Sequence, residues 1–376
     1  MIYFDNAAST RIDDDVLEFF KKECNTNFAN TGSFNSLGLK LSNNLKKIEK
    51  EILQTLSLDP NEYEVIFTSG ATEANNLAIL GTSYFYRNRG KHIITSTIEH
   101  PSILNTFKRL EGEGYRVTYL NPTKDGKIDI EELKNSLDHE TTLVSIMAVN
   151  NEVGAILNSE EIEKELRKYP KIIYHSDLAQ TLGKHDVNCS LFDLMTISSY
   201  KIYGLKGIGA LIKKKKLNLV PLFTGGTQQQ GYRVGTMDYA GIATFNYTIK
   251  KAINEYDKNH KHVQELFDYT LNELKKNDEL IVHTYKDMVP YIINFSLKTK
   301  SASVLLEALS NEEIYVSTKA SCSNKLHSAS HVVYALTNNE KEAINAIRIS
   351  FSKNSTLEEC KIFIQKLNEI LPKIRS

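Results

Sequence analysis

The residues with the clearest chemical meaning surround Lys201, in the run LMTISSYKIYGLKGIG over positions 194–209. An apolar, strand-like stretch ends in two hydroxyl residues and an aromatic residue, and the lysine then precedes a glycine-rich turn. A lysine there could form a Schiff base, and the nearby hydroxyls could bind the phosphate of a cofactor such as pyridoxal phosphate. On its own, a lysine before such a turn is more often a solvated surface residue.

Two other predicted strand ends carry groups that could bind the same cofactor. In TSGATEA (68–74), free N–H groups at a helix start and the Thr72 hydroxyl could hold a phosphate, although Ser69 could simply cap the helix. In YHSDLAQ (174–180), Asp177 could pair with a protonated pyridine nitrogen, and Gln180 could reach the ring oxygen. Capping of the following helix is the alternative for Asp177.

Three further polar positions could serve a substrate or move protons. His100, in STIEHPS (96–102), could stack on a cofactor ring and transfer protons near neutral pH, although a lone loop histidine often has no special role. Asn151 follows another apolar run. Arg348 lies within an apolar strand pattern and therefore needs a carboxylate, either from a bound substrate or from a buried Asp or Glu of the chain.

These positions fall at the ends of predicted strands. Short apolar runs alternate with helical patterns, which predicts an α/β fold with a largely parallel sheet covered on both faces. In such sheets ligands bind beyond the carboxyl ends of the strands. The predicted strands lie near 65–67, 92–94, 117–120, 143–149, 171–175, 194–197 and 209–212, and helices near 72–86, 102–110 and 159–169.

The pattern changes after about residue 246. A long amphipathic helix (about 248–276) precedes predicted strands at 291–295 and 346–350 and a final helix at 356–371. A chain of 376 residues is long enough for more than one core. We therefore predict a large domain over 15–250 and a small α+β domain made of 1–14 and 251–376.

Composition excludes several classes of protein. Lys+Arg and Asp+Glu are both 46, so no net field favours nucleic acid or an anionic membrane. No apolar stretch reaches transmembrane length and the first residues lack a signal-peptide pattern, which predicts a cytoplasmic protein. The four cysteines are far apart without a CxxC pair, so neither a disulfide framework nor a metal site is expected. The run 213–216 of four lysines predicts a solvated turn, with RNA contact as the lesser alternative.

Taken together and in order, these motifs resemble the class V aminotransferase family of fold type I pyridoxal-phosphate enzymes, over essentially the full chain. More narrowly, the chain resembles the NifS/IscS-type cysteine desulfurases. The motifs are YFDNAAST (3–10), TSGATE (68–73), EH (99–100), NNEVG (150–154), DLAQ (177–180) and KIYG (201–204). The resemblance implies a seven-stranded, mostly parallel sheet with a smaller α+β domain, pyridoxal phosphate as cofactor, and conversion of L-cysteine to L-alanine.

The resemblance also implies a role for each matching residue. Lys201 would form the Schiff base and move the Cα proton, Asp177 would pair with the pyridine nitrogen, Gln180 with the ring oxygen, and His100 would stack on the ring as an acid or base. Four residues would hold the phosphate: Ala71, Thr72, Ser198 and Tyr200. Thr236 would reach the phosphate of the other subunit of a homodimer. The substrate carboxylate would be held by Asn151 and Arg348.

Desulfuration in that family depends on a loop cysteine that attacks the substrate sulfur and keeps it as a persulfide. Cys322, in VSTKASCSN (316–324), matches that position. The following stretch looks long enough for the group that hands sulfur directly to an acceptor, such as an iron–sulfur scaffold or a tRNA-thiolation enzyme. The other cysteines match no family position: Cys24, Cys189 and Cys360.

Several residues depart from the family pattern. Tyr200 replaces the usual histidine before the lysine, and the loop before Cys322 lacks the usual glycine. Asn35 and Val234 replace a common histidine and serine. These changes leave two alternatives open: a pyridoxal-phosphate lyase or aminotransferase acting on another amino acid such as selenocysteine, or a degenerate paralogue that serves as a scaffold.

Overall fold

A computed structural model describes residues 1–318 and 329–374 of the chain. Its strands are β1 Ile2–Tyr3, β2 Tyr63–Thr68, β3 His92–Ser96, β4 Arg116–Leu120, β5 Thr141–Ser145, β6 Ile173–Asp177, β7 Leu194–Ser198, β8 Gly209–Lys214, β9 Leu280–Val282, β10 Ile292–Leu297, β11 Ile314–Tyr315 and β12 Ala346–Ser350. Its helices are α1 Asp14–Thr26, α2 Ser36–Thr55, α3 Ala71–Phe85, α4 Pro101–Gly112, α5 Ile130–Ser136, α6 Ser159–Leu166, α7 Tyr239–Asn254, α8 Tyr256–Lys275, α9 Ala302–Asn311, α10 His331–Thr337, α11 Glu340–Ile344 and α12 Leu357–Ile370.

Seven strands form one sheet in the order β2-β8-β7-β6-β5-β3-β4. Every strand is parallel to the others except β8, which pairs antiparallel with both β2 and β7. Strands β3, β5, β6 and β7 are buried along their whole length, because apolar cores cover both faces of the sheet. The predicted α/β fold with a mostly parallel seven-stranded sheet is confirmed.

A second sheet of three antiparallel strands, β12-β10-β9, lies in a separate core cluster. This cluster combines the first residues of the chain, such as Phe4, with residues 263–374. Strand β1 pairs with β11, which joins the N-terminal segment to this part of the molecule. The predicted domain boundaries stay a prediction, and this shared core supports them.

Two sequence expectations are wrong in this part of the chain. The single long helix expected over 248–276 is two helices, α7 and α8, which meet at Glu255. The lysine run is not a solvated turn at its start, because β8 continues through Lys213 and Lys214. Lys213 is fully buried opposite Glu64 on β2 and pairs with its carboxylate. Cross-strand pairing therefore takes the first two lysines into the sheet.

Over residues 1–318 and 329–374, no helix is long and apolar enough to cross a bilayer.

Candidate active site

A pocket opens where the parallel strands of the large sheet end. Nine of the predicted site residues line it: Ala71, Thr72, His100, Asn151, Asp177, Gln180, Tyr200, Lys201 and Arg348. Sequence reasoning gave no role to the other lining residues: Ala7, Ala8, Met147, Val149 and Ala179.

Lys201 enters the pocket from a tight turn that follows β7. Residues Ser199–Lys201 form one turn of 3-10 helix, and the chain then reverses at Gly204. A Cβ at Gly204 would lie 2.1 Å from Ser199 Oγ, so only glycine fits this turn. The Lys201 Nζ donates to the backbone oxygens of Ala7 and Ala8, at 2.5 and 2.9 Å. The N-terminal segment therefore fixes the direction of the lysine side chain.

Asp177 lies at the end of β6, buried at the bottom of the pocket. One carboxylate oxygen accepts from Asn75 Nδ2 at 2.8 Å and the other from the Ala179 N–H at 2.9 Å. Neither partner carries a charge, so the carboxylate can still pair with a cationic ligand atom. The sequence analysis missed Asn75. Its position one turn into the helix after the TSGATE motif was the available signal.

The start of α3 provides the predicted anion site. Gly70 is the N-cap residue and no side chain caps the helix, so the first N–H groups of α3 are available to a phosphate. The alternative that Ser69 caps this helix is wrong, because Gly70 is the N-cap residue and no side chain of the described residues accepts a capping hydrogen bond. The Ser69 N–H donates to Glu73 Oε2 at 2.7 Å. A Cβ at Gly209 would lie 2.8 Å from Gly70 Cα, so Gly209 permits this close approach.

Two of the predicted phosphate ligands do not line the pocket. Ser198 is buried at the end of β7, and its Oγ has no hydrogen-bond partner in the described residues. Thr236 is exposed on a loop that is held to α3 by a hydrogen bond of 3.1 Å from Arg233 Nε to Glu73 Oε1. Thr236 therefore does not contribute to the pocket of its own chain.

His100 is the N-cap residue of α4 and also borders the pocket. Its Nδ1 accepts from the Ser102 N–H at 3.1 Å. Because Nδ1 is an acceptor, the neutral ring carries its proton on Nε2. Burial, with a smaller contribution from the positive charge of Lys201, lowers the pKa of His100, which favours this neutral form.

Arg348 projects from β12 into the pocket and is almost completely buried. Its two terminal nitrogens donate to Asp5 Oδ1 at 2.8 Å and to the Asn151 backbone oxygen at 2.9 Å. The ion pair with Asp5 is the buried partner that the sequence left as an alternative to a substrate carboxylate. The Nε has no partner in the described residues, so its N–H remains available to a ligand.

Comparison with known protein families identifies the family of this chain. The model of the family described as aminotransferase class-V matches residues 2–363. The chain belongs to the class V aminotransferase family. A NifS/IcsS protein homolog of Lactobacillus delbrueckii subsp. bulgaricus is 37% identical, with 98% of this chain and 97% of the relative covered.

Two further comparisons show which type of class V enzyme this chain is. Cysteine desulfurase IscS of Dictyoglomus turgidum is 35% identical, over 100% of this chain and 95% of the relative. A solved NifS-like protein superposes with a TM-score of 0.91 at 32% identity, with 99% of each chain covered. This class V member is a pyridoxal-phosphate-dependent cysteine desulfurase of the NifS/IscS type. The alternatives of another amino-acid substrate or a scaffold paralogue are not favoured.

The pocket of this class V enzyme fits pyridoxal phosphate. An uncapped helix start suits a phosphate, and Asp177, bound only to uncharged donors, suits a protonated ring nitrogen. Lys201 supplies an amine that lines the same pocket. Ser198 Oγ, buried without a partner, is one further polar atom that a ligand or water could satisfy.

The predicted sulfur-carrying residue, Cys322, lies outside the described residues. Of the other cysteines, Cys24 is exposed on α1, and Cys189 and Cys360 are buried. Burial raises the pKa of the Cys189 thiol to about 12 and that of Cys360 to about 11. Neither buried thiol is therefore suited to act as a nucleophile.

Proposed function

We propose that this desulfurase transfers sulfur from L-cysteine to Cys322, as a persulfide, and then delivers it to a protein acceptor in the cytoplasm. The single observation that carries the proposal is the pocket itself, which brings Lys201, Asp177 and Arg348 together. Lys201 supplies the reacting amine, Asp177 supplies a negative charge for the cofactor ring, and Arg348 supplies a positive charge for the carboxylate of the amino acid. An iron–sulfur scaffold or a tRNA-thiolation enzyme is the proposed class of acceptor.

Arg348 and Asn151 bind the carboxylate of the cysteine substrate in this proposal. Asp5 and the Asn151 carbonyl already fix two nitrogens of the guanidinium, so its plane is set before substrate arrives. The remaining Nε–H points to the carboxylate, and the Asn151 side chain adds a second polar contact at the pocket wall. A preset guanidinium loses little side-chain freedom on binding.

Proton transfer is divided between Lys201 and His100. Pyridoxal phosphate, when bound, supplies the electron sink that stabilises negative charge at the substrate Cα. Asp177 keeps the ring nitrogen protonated, because its carboxylate is buried with only neutral partners. Lys201 Nζ takes the Cα proton, and His100, which lines the same pocket, holds a proton on Nε2.

Cys322 completes the reaction. Its thiolate attacks the substrate sulfur, the carbon–sulfur bond breaks, and the carbon keeps the electron pair and is protonated to give alanine. The described residues on both sides of the segment 319–328 bind next to the pocket. Ser317 pairs with the backbone of Arg348, with N···O distances of 3.0 and 2.7 Å, and Ser330 Oγ donates to Glu152 Oε2 at 2.5 Å.

Alanine formation by the Cys322→Ala variant, and its sulfide release with an added thiol reductant, test this assignment. The thiol is needed because the outer sulfur of a persulfide leaves as sulfide only after a two-electron reduction. The variant should keep the visible absorption band of the bound cofactor and lose sulfide release, because only the sulfur acceptor is removed. Cys24→Ala is the matched control, since Cys24 is the exposed cysteine of the described chain, and it should behave as wild type. Unchanged sulfide output from Cys322→Ala would contradict the persulfide step.

A homodimer is part of the proposal. Phe34 is 95% exposed and Phe28 is 77% exposed, which is unusual for a free surface and supports contact with a second copy. In such a dimer, Thr236 would reach the phosphate of the partner's cofactor, since it is exposed and does not line its own pocket. Light scattering should give about twice the chain mass of 42.6 kDa. A monomeric holoenzyme would contradict this part of the proposal.

A further inference from the structure

A second buried lysine stands behind the wall of the pocket. Lys184 lies seven positions after Asp177 and four after Gln180, in the turns that follow β6, and is 5% exposed. Its Nζ donates to Gln180 Oε1 at 2.8 Å, and this is the acceptor that the described residues offer it. Lys184 does not line the pocket, so it can act on the site only through a neighbour.

The Gln180 amide is held on both sides. Its Oε1 accepts from Lys184 Nζ, and its Nε2 donates to the Ala7 backbone oxygen at 2.9 Å. A lysine nitrogen donates hydrogen bonds and a carbonyl oxygen only accepts them, so both neighbours select the same orientation of the amide. That orientation leaves the second Nε2 hydrogen for the pocket, which Gln180 lines.

We propose that Lys184 is a positioning residue that orients the Gln180 amide, so that an N–H rather than the carbonyl oxygen faces the cofactor's ring oxygen. This inference rests on the proposed contact of Gln180 with that oxygen. A reversed amide would place two oxygen atoms against each other and remove the donor. Lys184 therefore contributes to catalysis without touching substrate or cofactor.

The surrounding charges support a role beyond packing. Burial, and then the positive charges of Lys201 and Arg348, lower the pKa of Lys184 to about 7. On the other side, His260 lies 3.4 Å from the Lys184 backbone oxygen, and Asp177 lies at the pocket floor. A buried amine near two cations is costly, and no carboxylate pairs with it within the described residues. The hydrogen bond to Gln180 is therefore the interaction that compensates for burying the Lys184 amine.

The test uses the pH titration of the holoenzyme's visible absorption band. A donor to the ring oxygen competes with the imine proton for that oxygen, so loss of the donor raises the midpoint. Lys184→Met removes the donor to Oε1 and frees the amide to rotate. We expect its midpoint to rise by at least ~0.5 pH units and its cofactor to bind more weakly. A midpoint equal to that of wild type would overturn the proposal.

A double-mutant cycle separates orientation from simple loss of charge. Gln180→Leu should raise the midpoint by itself, and adding Lys184→Met to it should then produce no further rise. Additive shifts would overturn the positioning role, because they would mean that Lys184 acts through its own charge. An unchanged midpoint in Gln180→Leu alone would instead refute the contact of Gln180 with the ring oxygen, and the positioning role with it.

Two more variants show whether a shift of the midpoint could come from misfolding alone. Lys184→Gln keeps a hydrogen-bond donor for the buried site but no longer selects one amide orientation, so it should fold and give a smaller rise than Lys184→Met. A wild-type midpoint in this variant too would overturn the proposal. Lys213→Met is the matched control, since it removes another buried lysine far from the pocket, and its midpoint should equal that of wild type.

Discussion

The two ends of the seven-stranded sheet each hold a lysine and a buried aspartate, and these groups find different kinds of partner. At one end, Lys213 pairs with Glu64 and donates to the Leu217 backbone oxygen at 2.6 Å. Next to it, Lys214 Nζ lies 2.7 Å from Asp193 Oδ1. Each charge at this end finds an opposite charge in the chain itself.

At the other end, at the carboxyl ends of the parallel strands, Lys201 donates to backbone oxygens. Two buried groups near it are only partly satisfied within the described residues: Asp177 accepts from an amide and a backbone N–H, neither of them charged, and Arg348 Nε has no partner. Buried groups of this kind are costly unless a ligand completes their contacts. The comparison teaches that buried charge alone does not mark a site, whereas incomplete pairing of buried charge does.

The largest difference is expected between variants of Lys201 and Lys213. Lys201→Ala should remove the cofactor's visible band and lower sulfide release by at least ~10³-fold, because the reacting amine is lost. Lys213→Met should keep the band but lower the free energy of unfolding by about 3 kcal/mol, since Glu64 loses its buried partner. Absorption spectra, activity and chemical denaturation of both variants measure this. A colourless but stable Lys213→Met would break the comparison.

A smaller difference is expected between variants of Asp177 and Asp193. Asp177→Asn should lower the rate of alanine formation by about 10²-fold, with little change in stability, because the amide keeps the shape but cannot hold a ring proton. Asp193→Asn should keep the rate and lower the free energy of unfolding by about 2 kcal/mol, because Lys214 and the Tyr174 N–H lose a charged acceptor. Equal rates in the two variants would contradict the proposed role of Asp177.

A pH-dependent effect is expected at Glu99, which is fully buried beside the pocket. Its Oε1 accepts from Ser96 Oγ and the Met147 N–H, and burial raises its pKa to about 8 from 4.5. The folded protein therefore keeps a proton that the unfolded chain releases, so this group's contribution to stability is present below pH 4.5 and is lost as pH rises through 8.

Replacing Glu99 with glutamine should remove that dependence. Denaturation of the apoprotein across this pH range should show wild type losing stability relative to Glu99→Gln, at most by about 1.4 kcal/mol per pH unit. Parallel stability curves for the two proteins would mean that Glu99 is ionised in the folded state. The site end of the sheet would then carry one more unpaired charge than we infer.

Much of the site could be predicted from sequence because each group follows a strand in a motif with fixed spacing. Asp177, Lys201 and the start of α3 are of this kind. Asn75 and Lys184 were missed because they act one helical turn away from a motif residue, with nothing in their type to separate them from surface polar residues. Lys213 was misread because a four-lysine run is ordinarily solvated, and only the pairing of β8 with β2 buries its first member.

The sequence by itself determined the alternation of strands and helices, and hence the sheet and the edge at which its loops gather, because hydrophobic periodicity and turn residues are local properties. Tertiary structure alone decided which partner each polar group of the site finds. The N-terminal segment supplies Asp5 to Arg348 and the Ala7 carbonyl to both Lys201 and Gln180 across more than 170 positions of sequence. Such partners depend on how distant segments pack, and no local pattern encodes that packing.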